Sequence, residues 1–283
     1  MIAGIKCLNG STTAEKKAKG VKWLYKAAEQ NHGLSMYWLS NALQEGIGVK
    51  ADPDEAIEWL QKGSEIGSVN CQTSLGLAYL HGLLIEQDKE RAHHLFHLAS
   101  LQGDTWATYL LGLTYELGDG VQVDHKAAIQ CFEKSSADVP KSKYCLARIY
   151  YTSDSPDIQD LPKAIKWLKL ASDDGIPEAQ SMLGEIILGG VGVESNPSKA
   201  YEWFKLAADQ GHGHANYQMA KLLMEGNGVK ANMNLAIRHM MKAAANGVEE
   251  ANEWIKTHLP AKPQWLEDLK QIASDEDEDE NSF

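Results

Sequence analysis

Apolar side chains recur along the chain with the spacing of one helix face. In the stretch 177–211 they stand at Ala179, Leu183, Ile186 and Ile187, which is the i, i+4, i+7, i+8 pattern of an amphipathic helix. Polar residues occupy most of the intervening positions. The pattern therefore predicts a helix, called helix A, with one buried face.

A second helix, called helix B, follows within the same stretch. Its predicted buried positions are Ala200, Trp203, Phe204, Ala207 and Ala208. It is preceded by a residue with a short polar side chain, which can cap the free N–H groups of the first helical turn. That residue recurs in one register, as Asp52, Asp88, Asp124, Asp160, Asn196 and Asn232.

The helix pair repeats every 36 residues. Between the two helices stands a Gly-x-Gly-Val turn, whose first glycine permits the left-handed backbone that ends helix A. This glycine recurs as Gly46, Gly82, Gly118, Gly190 and Gly226, and Asp154 replaces it once. A fixed period of this length predicts an all-α solenoid, here a right-handed superhelix of stacked helix pairs.

We expect a single repeat domain over residues 1–259. Its predicted parts are a half repeat at 1–30, six full repeats at 31–246, a final helix at 247–259, a capping helix at 260–273 and a disordered acidic tail at 274–283. The repeat at 139–174 lacks the usual glycines in both of its turns. Either these loops have drifted, or they change the local curvature of the superhelix.

Two further columns of the repeat concern packing. A small residue recurs inside helix A, as in Gly184, and predicts that the backbone of a second helix packs against it. A tryptophan recurs in helix B and is expected to lie in the core. Its positions are Trp23, Trp59, Trp167 and Trp203.

The chain is acidic, with a formal net charge of −12, of which the run at 275–280 supplies half. This charge disfavours nucleic acid and anionic membranes as partners. The opening residues do not form a secretion signal, and no long apolar run occurs, so we expect a cytoplasmic protein. The four cysteines, Cys7, Cys71, Cys131 and Cys145, do not recur in a paired register and are predicted to be reduced.

Catalytic and metal-binding signatures are weak. His93 and His97 stand one helical turn apart next to His94, but no acidic or cysteine ligand completes a metal set nearby. The Gly-x-Gly pairs follow helices rather than strands, and therefore differ from phosphate-binding loops. We expect no catalytic residue, metal or cofactor.

The repeated string of Ala, Leu-Gly, Gly-x-Gly-Val, Lys-Ala, Trp and Ala-Ala resembles the Sel1-like repeat, a relative of the tetratricopeptide repeat. It is seen most fully in Ala179, Leu183, Gly184, Gly190, Val191, Gly192, Val193, Lys199, Ala200, Trp203, Ala207, Ala208 and Gly211. The resemblance covers residues 1–259 and implies a scaffold or adaptor that binds other proteins on the inner face of the superhelix.

The helix A positions that the core does not need form the candidate binding surface. In related solenoids the equivalent positions line the concave groove. Here they are Tyr37, Asn41, Leu77, Leu80, Trp106, Tyr109, Leu113, Glu116, Ile149, Glu185 and Tyr217. Apolar anchors ringed by Glu116 and Glu185 suit a protein partner with some basic charge.

Three classes of function are compatible with these observations. The first is a protein-binding scaffold with several partners. The second is an immunity or inhibitor protein that grips one cognate toxin or effector very tightly. The third, supported least by the residues, is an enzyme or small-ligand binder.

Overall fold

The described part of the chain is entirely helical. A computed structural model describes residues 13–259, which form fourteen helices and no strand. The helices are α1 (Ala14–Ala28), α2 (Gly33–Glu45), α3 (Pro53–Glu65), α4 (Val69–His81), α5 (Lys89–Leu101), α6 (Thr105–Leu117), α7 (His125–Ser135), α8 (Pro140–Thr152), α9 (Leu161–Asp173), α10 (Pro177–Gly189), α11 (Pro197–Asp209), α12 (Gly213–Glu225), α13 (Met233–Ala245) and α14 (Glu249–His258). The predicted all-α class is confirmed. The first part of the half repeat, the capping helix and the acidic tail lie outside the described residues.

The predicted N-caps of the B helices are confirmed. Each cap side chain accepts a hydrogen bond from the backbone N–H three residues later, at distances between 2.9 and 3.1 Å. The backbone N–H of the cap also donates to a carbonyl near the end of the preceding A helix, as from Asp88 to Tyr79 over 3.0 Å. One residue thus starts helix B and fixes it to helix A.

We expect Asp124→Ala to destabilise the start of α7. The change removes the acceptor of the Ala127 N–H, now 2.9 Å away, and caps of this kind contribute about 0.5–2 kcal/mol. Hydrogen exchange of the first α7 amides should accelerate, whereas Asp124→Asn, which keeps an acceptor, should retain most of the protection. Equal exchange in the parent and both variants would contradict the capping role.

In the turn after α6, close packing requires the second glycine. Gly120 has φ +75°, and a Cβ at this position would overlap the backbone carbonyl of Lys89 at the start of α5. The Asp119 carboxylate in the same turn accepts a hydrogen bond from the Lys89 ammonium over 2.6 Å. The turn after α6 is therefore held against the B helix of the preceding repeat.

The core of helix B lies one residue after the tryptophan column. The residues of this core column are almost inaccessible, at 0–2 % exposed. They are Leu24, Leu60, Phe96, Phe132, Leu168, Phe204 and Met240. The expectation of a buried tryptophan column was wrong: Trp23 is 43 % exposed, and the other three are only half-buried. One residue is 100° around a helix, which carries these rings out of the core.

The small position inside helix A accommodates an aromatic ring. A Cβ on Gly184 would lie 2.7 Å from the ring of Phe204, and Gly112 stands in the same relation to Phe132. The predicted close approach is therefore confirmed, but the approaching group is a side chain rather than a helix backbone. In the two repeats whose core residues are Leu60 and Met240, this position holds the larger residues Ser40 and Ala220.

The described chain groups into two compact units. The N-terminal unit extends to Ile149 and includes Ser153–Ile158, and the C-terminal unit comprises Tyr150–Thr152 and the chain from Gln159 onward. The single domain expected from the sequence stays a prediction. The division falls within the repeat at 139–174.

This repeat is irregular in structure as well as in sequence. Helix α8 ends at Ser153 in extended backbone, whereas the other A helices with Gly-x-Gly turns end on a left-handed glycine. The Asp160 N–H donates a hydrogen bond to the carbonyl oxygen of Tyr150. In the other repeats the equivalent acceptor lies one residue later in the register. The missing glycine therefore shifts the closing hydrogen bond by one residue.

Candidate functional site

The eleven predicted binding residues are divided between the two units. Glu185 and Tyr217 lie in the C-terminal unit, on α10 and α12, and the other nine lie in the N-terminal unit. Of those nine, Tyr37 and Asn41 lie on α2, where both are half-buried and Tyr37 packs edge-on against Trp38. The remaining seven lie on α4, α6 and α8.

Contacts between neighbouring repeats recur at equivalent register positions. Gln180 and Gln210 are hydrogen-bonded over 2.9 Å, and Gln72 and Gln102, three repeats earlier, are bonded in the same way over 2.8 Å. Glu185 of α10 and His214 of α12 form an ion pair over 2.6 Å. The residues 108 positions earlier in the register are Leu77 and Trp106. We infer that Leu77 of α4 lies beside Trp106 of α6.

An apolar surface therefore lies on α4 and α6 of the N-terminal unit. Trp106 is 45 % exposed and Leu117 is 61 % exposed, although both are large apolar residues. Leu113 of α6 and Leu77 and Leu80 of α4 are half-buried. Since 106, 113 and 117 differ by seven and four residues, they lie on one helix face. We call these five residues the α4–α6 surface; Leu117 was not among the residues predicted from the sequence.

Two of the predicted residues are buried rather than exposed. Tyr109 is 8 % exposed and Ile149 is 2 % exposed, so neither side chain offers a surface to a partner. The Tyr109 ring lies between two others, 5.1 Å from the Trp106 centroid and 5.9 Å from that of Phe132. Burial also raises the pKa of the Tyr109 hydroxyl. Tyr109 therefore packs between the exposed ring of Trp106 and the core ring of Phe132.

Glu116 is held by an arginine that the sequence reasoning missed. The Arg148 Nη2 lies 2.8 Å from both carboxylate oxygens of Glu116, and the Glu116 side chain is only 10 % exposed. Arg148 occupies the register position that is Gly112 in α6 and Gly184 in α10. A departure from the small-residue column at 148 was the signal that could have identified it.

The C-terminal unit presents a polar version of the same surface. Glu185 and His214 replace Leu77 and Trp106 in the register, and Tyr217 replaces Tyr109. The Tyr217 ring lies 6.0 Å from that of His214, and the Lys221 ammonium lies 5.6 Å from the Tyr217 centroid. The two units thus offer surfaces of different chemistry from equivalent positions.

The Glu185–His214 pair predicts a pH-dependent contact between α10 and α12. The hydrogen bond that His214 donates to Glu185, together with the charges of Glu185 and Glu250, raises the pKa of His214 above 6.5, against the opposing effects of burial and Lys221. A raised histidine pKa stabilises the folded state fully below the unfolded pKa, and this stabilisation is lost as pH rises through the folded pKa. An NMR titration should place the His214 midpoint above 6.5, and Glu185→Gln should lower it. An unchanged midpoint in that variant would contradict the assignment.

The histidine trio on α5 has other roles in the structure. The His93 Nδ1 lies 2.8 Å from the Thr114 hydroxyl oxygen, and its ring packs edge-on against Tyr115. His94 and His97 are exposed. Within residues 13–259, no three His, Cys, Asp or Glu side chains are grouped to hold a metal ion.

Within residues 13–259, no helix is both long enough and apolar enough to span a membrane. Cys71, Cys131 and Cys145 are free thiols, and Cys7 lies outside the described residues. Burial raises the pKa of Cys131 to about 11 and, together with the nearby Glu116, that of Cys145 to about 12.

Comparison with known proteins identifies the repeat. The pattern of the Sel1 repeat matches this chain seven times, at residues 7–32, 33–68, 69–104, 107–138, 140–176, 177–212 and 213–248. The chain therefore belongs to the Sel1 repeat family. Proteins of this family are generally scaffolds for interactions between proteins.

Relatives with the same repeat include a fungal regulator and two bacterial proteins of known structure. The chain is 29% identical over 170 residues to the chitin synthase regulator SKT5 of Saccharomyces cerevisiae, covering 57% of this chain and 24% of that protein. It resembles c5321, a protective antigen of uropathogenic Escherichia coli strains with an SLR fold (30% identity, TM-score 0.74, 88% of this chain and 54% of that one). It also resembles a Sel1 repeat protein from Oxalobacter formigenes (27% identity, TM-score 0.75, 90% and 74%). The chain thus spans about a quarter of the length of the chitin synthase regulator SKT5.

Proposed function

We propose that the protein is a non-catalytic scaffold that binds a partner protein through the α4–α6 surface. The observation that carries this proposal is the exposure of Trp106 and Leu117 on one face of α6, which also holds the half-buried Leu113. Contiguous exposed apolar side chains mark interaction sites on soluble proteins. Membership of the Sel1 repeat family supports the same reading.

Trp106 has the properties of an energetic anchor in such an interface. Its ring is nearly half exposed yet packs at a tilt of 32° against the buried ring of Tyr109, which in turn packs against Phe132. A supported aromatic side chain loses little conformational freedom on binding, and such residues usually carry most of the affinity. Leu113 and Leu117 extend the apolar face by three further helical turns.

The partner segment is expected to be apolar where it meets α4 and α6. The acidic rim suggested by the sequence offers less attraction for a basic partner than expected, because Glu116 is paired with Arg148 and Glu185 with His214. The complementary residues would be aliphatic or aromatic side chains one or two helical turns apart, as on an amphipathic helix.

Affinity capture with a matched pair of variants tests the proposal. The parent, the double variant Trp106→Ala/Leu117→Ala and the control Leu101→Ala/Leu206→Ala are used to capture proteins from the host. All four positions are exposed apolar residues, but Leu101 and Leu206 lie on B helices. We expect at least one protein that the parent and control retain and the double variant loses. Identical captures would contradict the proposed surface.

The same experiment addresses the immunity alternative. A protein that neutralises one toxin would retain a single partner through harsh washing, whereas a scaffold would retain several at moderate affinity.

A further inference from the structure

A cavity of about 460 Å³ lies between α9 and α11 in the C-terminal unit. Its floor is formed by Leu183 and Ile187 of α10, and its walls by Ile165 and Trp203. This volume falls within the range of small-ligand sites. The cavity therefore combines apolar and polar lining residues in about equal number, and its volume is sufficient to hold one ring.

Two lysines, one from each B helix, complete the lining: Lys169 of α9 and Lys199 of α11. Within residues 13–259, neither ammonium group makes an ion pair or side-chain hydrogen bond. The opposite charge at the rim is Glu194, whereas Ser195 and Asn196 are engaged with the backbone of Leu188 and Lys199. The polar atoms available to a ligand are therefore mainly cationic.

The equivalent groove between α1 and α3 is filled by the chain's own side chains. There, 144 residues earlier in the register, Tyr25 replaces Lys169, Glu55 replaces Lys199, and Trp59 replaces Trp203. Glu55 accepts hydrogen bonds from the Tyr25 hydroxyl and from the Trp59 Nε1, each over 3.1 Å, and the two rings meet edge-on. An aromatic ring and a carboxylate thus close this groove.

Another groove obtains its ring from helix A. Between α3 and α5, the register position of Ile187 is Tyr79, whose hydroxyl accepts a hydrogen bond from Arg91 over 3.2 Å and whose ring lies 5.5 Å from that guanidinium. The groove between α9 and α11 has isoleucine at this position and lysine at that of Tyr25. It therefore lacks both rings, and it lacks the carboxylate of Glu55.

We propose that the cavity between α9 and α11 is a binding site for an aromatic carboxylate. The ring occupies the space between Trp203 and Ile187, and the carboxylate pairs with Lys169 and Lys199. The ligand thereby supplies the ring and the acid that Tyr25 and Glu55 supply between α1 and α3. Charge-assisted hydrogen bonds are roughly twice as strong as neutral ones, and the two lysines would make them at the solvent-exposed edge of the cavity.

Titration with defined probes tests this site. The probes are 3-phenylpropanoate, its neutral amide, butanoate, and the peptide acetyl-Ala-Ala-Phe with a free carboxylate, followed by calorimetry and ligand-observed NMR. We expect a dissociation constant below about 1 mM for 3-phenylpropanoate or the peptide, and binding at least about tenfold weaker for the amide and for butanoate. Tighter binding of the free acid indicates a small-molecule ligand, and tighter binding of the peptide indicates a protein terminus. No binding of either at about 10 mM would overturn the proposal.

Two variants locate the binding. Ile187→Tyr places in the cavity the ring found at Tyr79, so the fold should tolerate it while affinity falls at least about tenfold. Lys169→Met/Lys199→Met should cause a similar loss without filling the cavity, and it tests the site even if Ile187→Tyr fails to fold. The control Lys166→Met removes an exposed charge from α9 outside the lining and should bind as the parent does. Unchanged affinity in the lysine double variant, or an equal loss in the control, would overturn the assignment.

Discussion

Replacing Phe204 by alanine is expected to lower the free energy of unfolding of the C-terminal unit by about 3–5 kcal/mol. The ring is fully buried and packs with Ala200, Ala207 and Met219. It also fills the space left by Gly184, where even a Cβ would lie 2.7 Å from the ring. Removing it leaves a cavity that two rigid helices cannot close.

The neighbouring residue provides the matched control. Trp203→Ala removes a larger side chain, but one that is only half-buried over the groove between α9 and α11, so the loss should be clearly smaller. Because neighbouring repeats stabilise one another mainly by direct contact, hydrogen exchange should accelerate in α10–α12 and remain unchanged in α1–α5. Chemical denaturation should order the variants as parent, Trp203→Ala and Phe204→Ala. Equal losses for the two substitutions would contradict the assignment of the core column.

The second large effect concerns partner binding. Once a partner has been captured, Trp106→Ala/Leu117→Ala should weaken its binding at least about thirtyfold, since truncating a central aromatic anchor usually costs 2 kcal/mol or more. Both side chains are exposed, so circular dichroism and the melting temperature should change little. The effect should appear mainly as faster dissociation.

The matched control separates this effect from a general loss of apolar surface. Leu101→Ala/Leu206→Ala removes comparable exposed area from α5 and α11, and its affinity should equal that of the parent. If both double variants lose affinity equally, the α4–α6 surface has no special role.

The sequence predicted the elements of this fold because their ends are local. The cap residues, such as Asp88 and Asn196, act on a backbone N–H only three residues away. The glycine at 118 must adopt a positive φ to end α6. Such interactions depend on neighbours in the chain, so the sequence is sufficient to place them.

Burial was harder to predict, because it depends on packing across repeats. The sequence pattern placed both Trp203 and Phe204 in the core, whereas only Phe204 is fully buried and Trp203, one residue earlier, is half-buried. The same limit explains why Tyr109 and Ile149 were expected on the surface. Both occupy positions that are partly open at Tyr37 and Leu77, yet neighbouring helices cover them in the middle of the chain.

The extent of the candidate sites could be identified only from the structure. Leu77 and Trp106 are 29 residues apart, and their proximity follows from a contact seen in another repeat. The cavity between α9 and α11 lacks the aromatic ring and the carboxylate that Tyr25 and Glu55 supply between α1 and α3. Only the comparison of these two grooves in the structure identifies it as a candidate site.

Site-specific photocrosslinking tests the proposed interface most directly. A photoreactive amino acid is placed at Leu117 in one variant and at Leu206 in another, each on an exposed apolar position of an otherwise unchanged chain. With the captured partner bound, the α4–α6 surface predicts a strong crosslink from position 117 and little or none from position 206. A partner that crosslinks from 206 and not from 117 would show that it binds the B helices, and would contradict the proposed function of this surface.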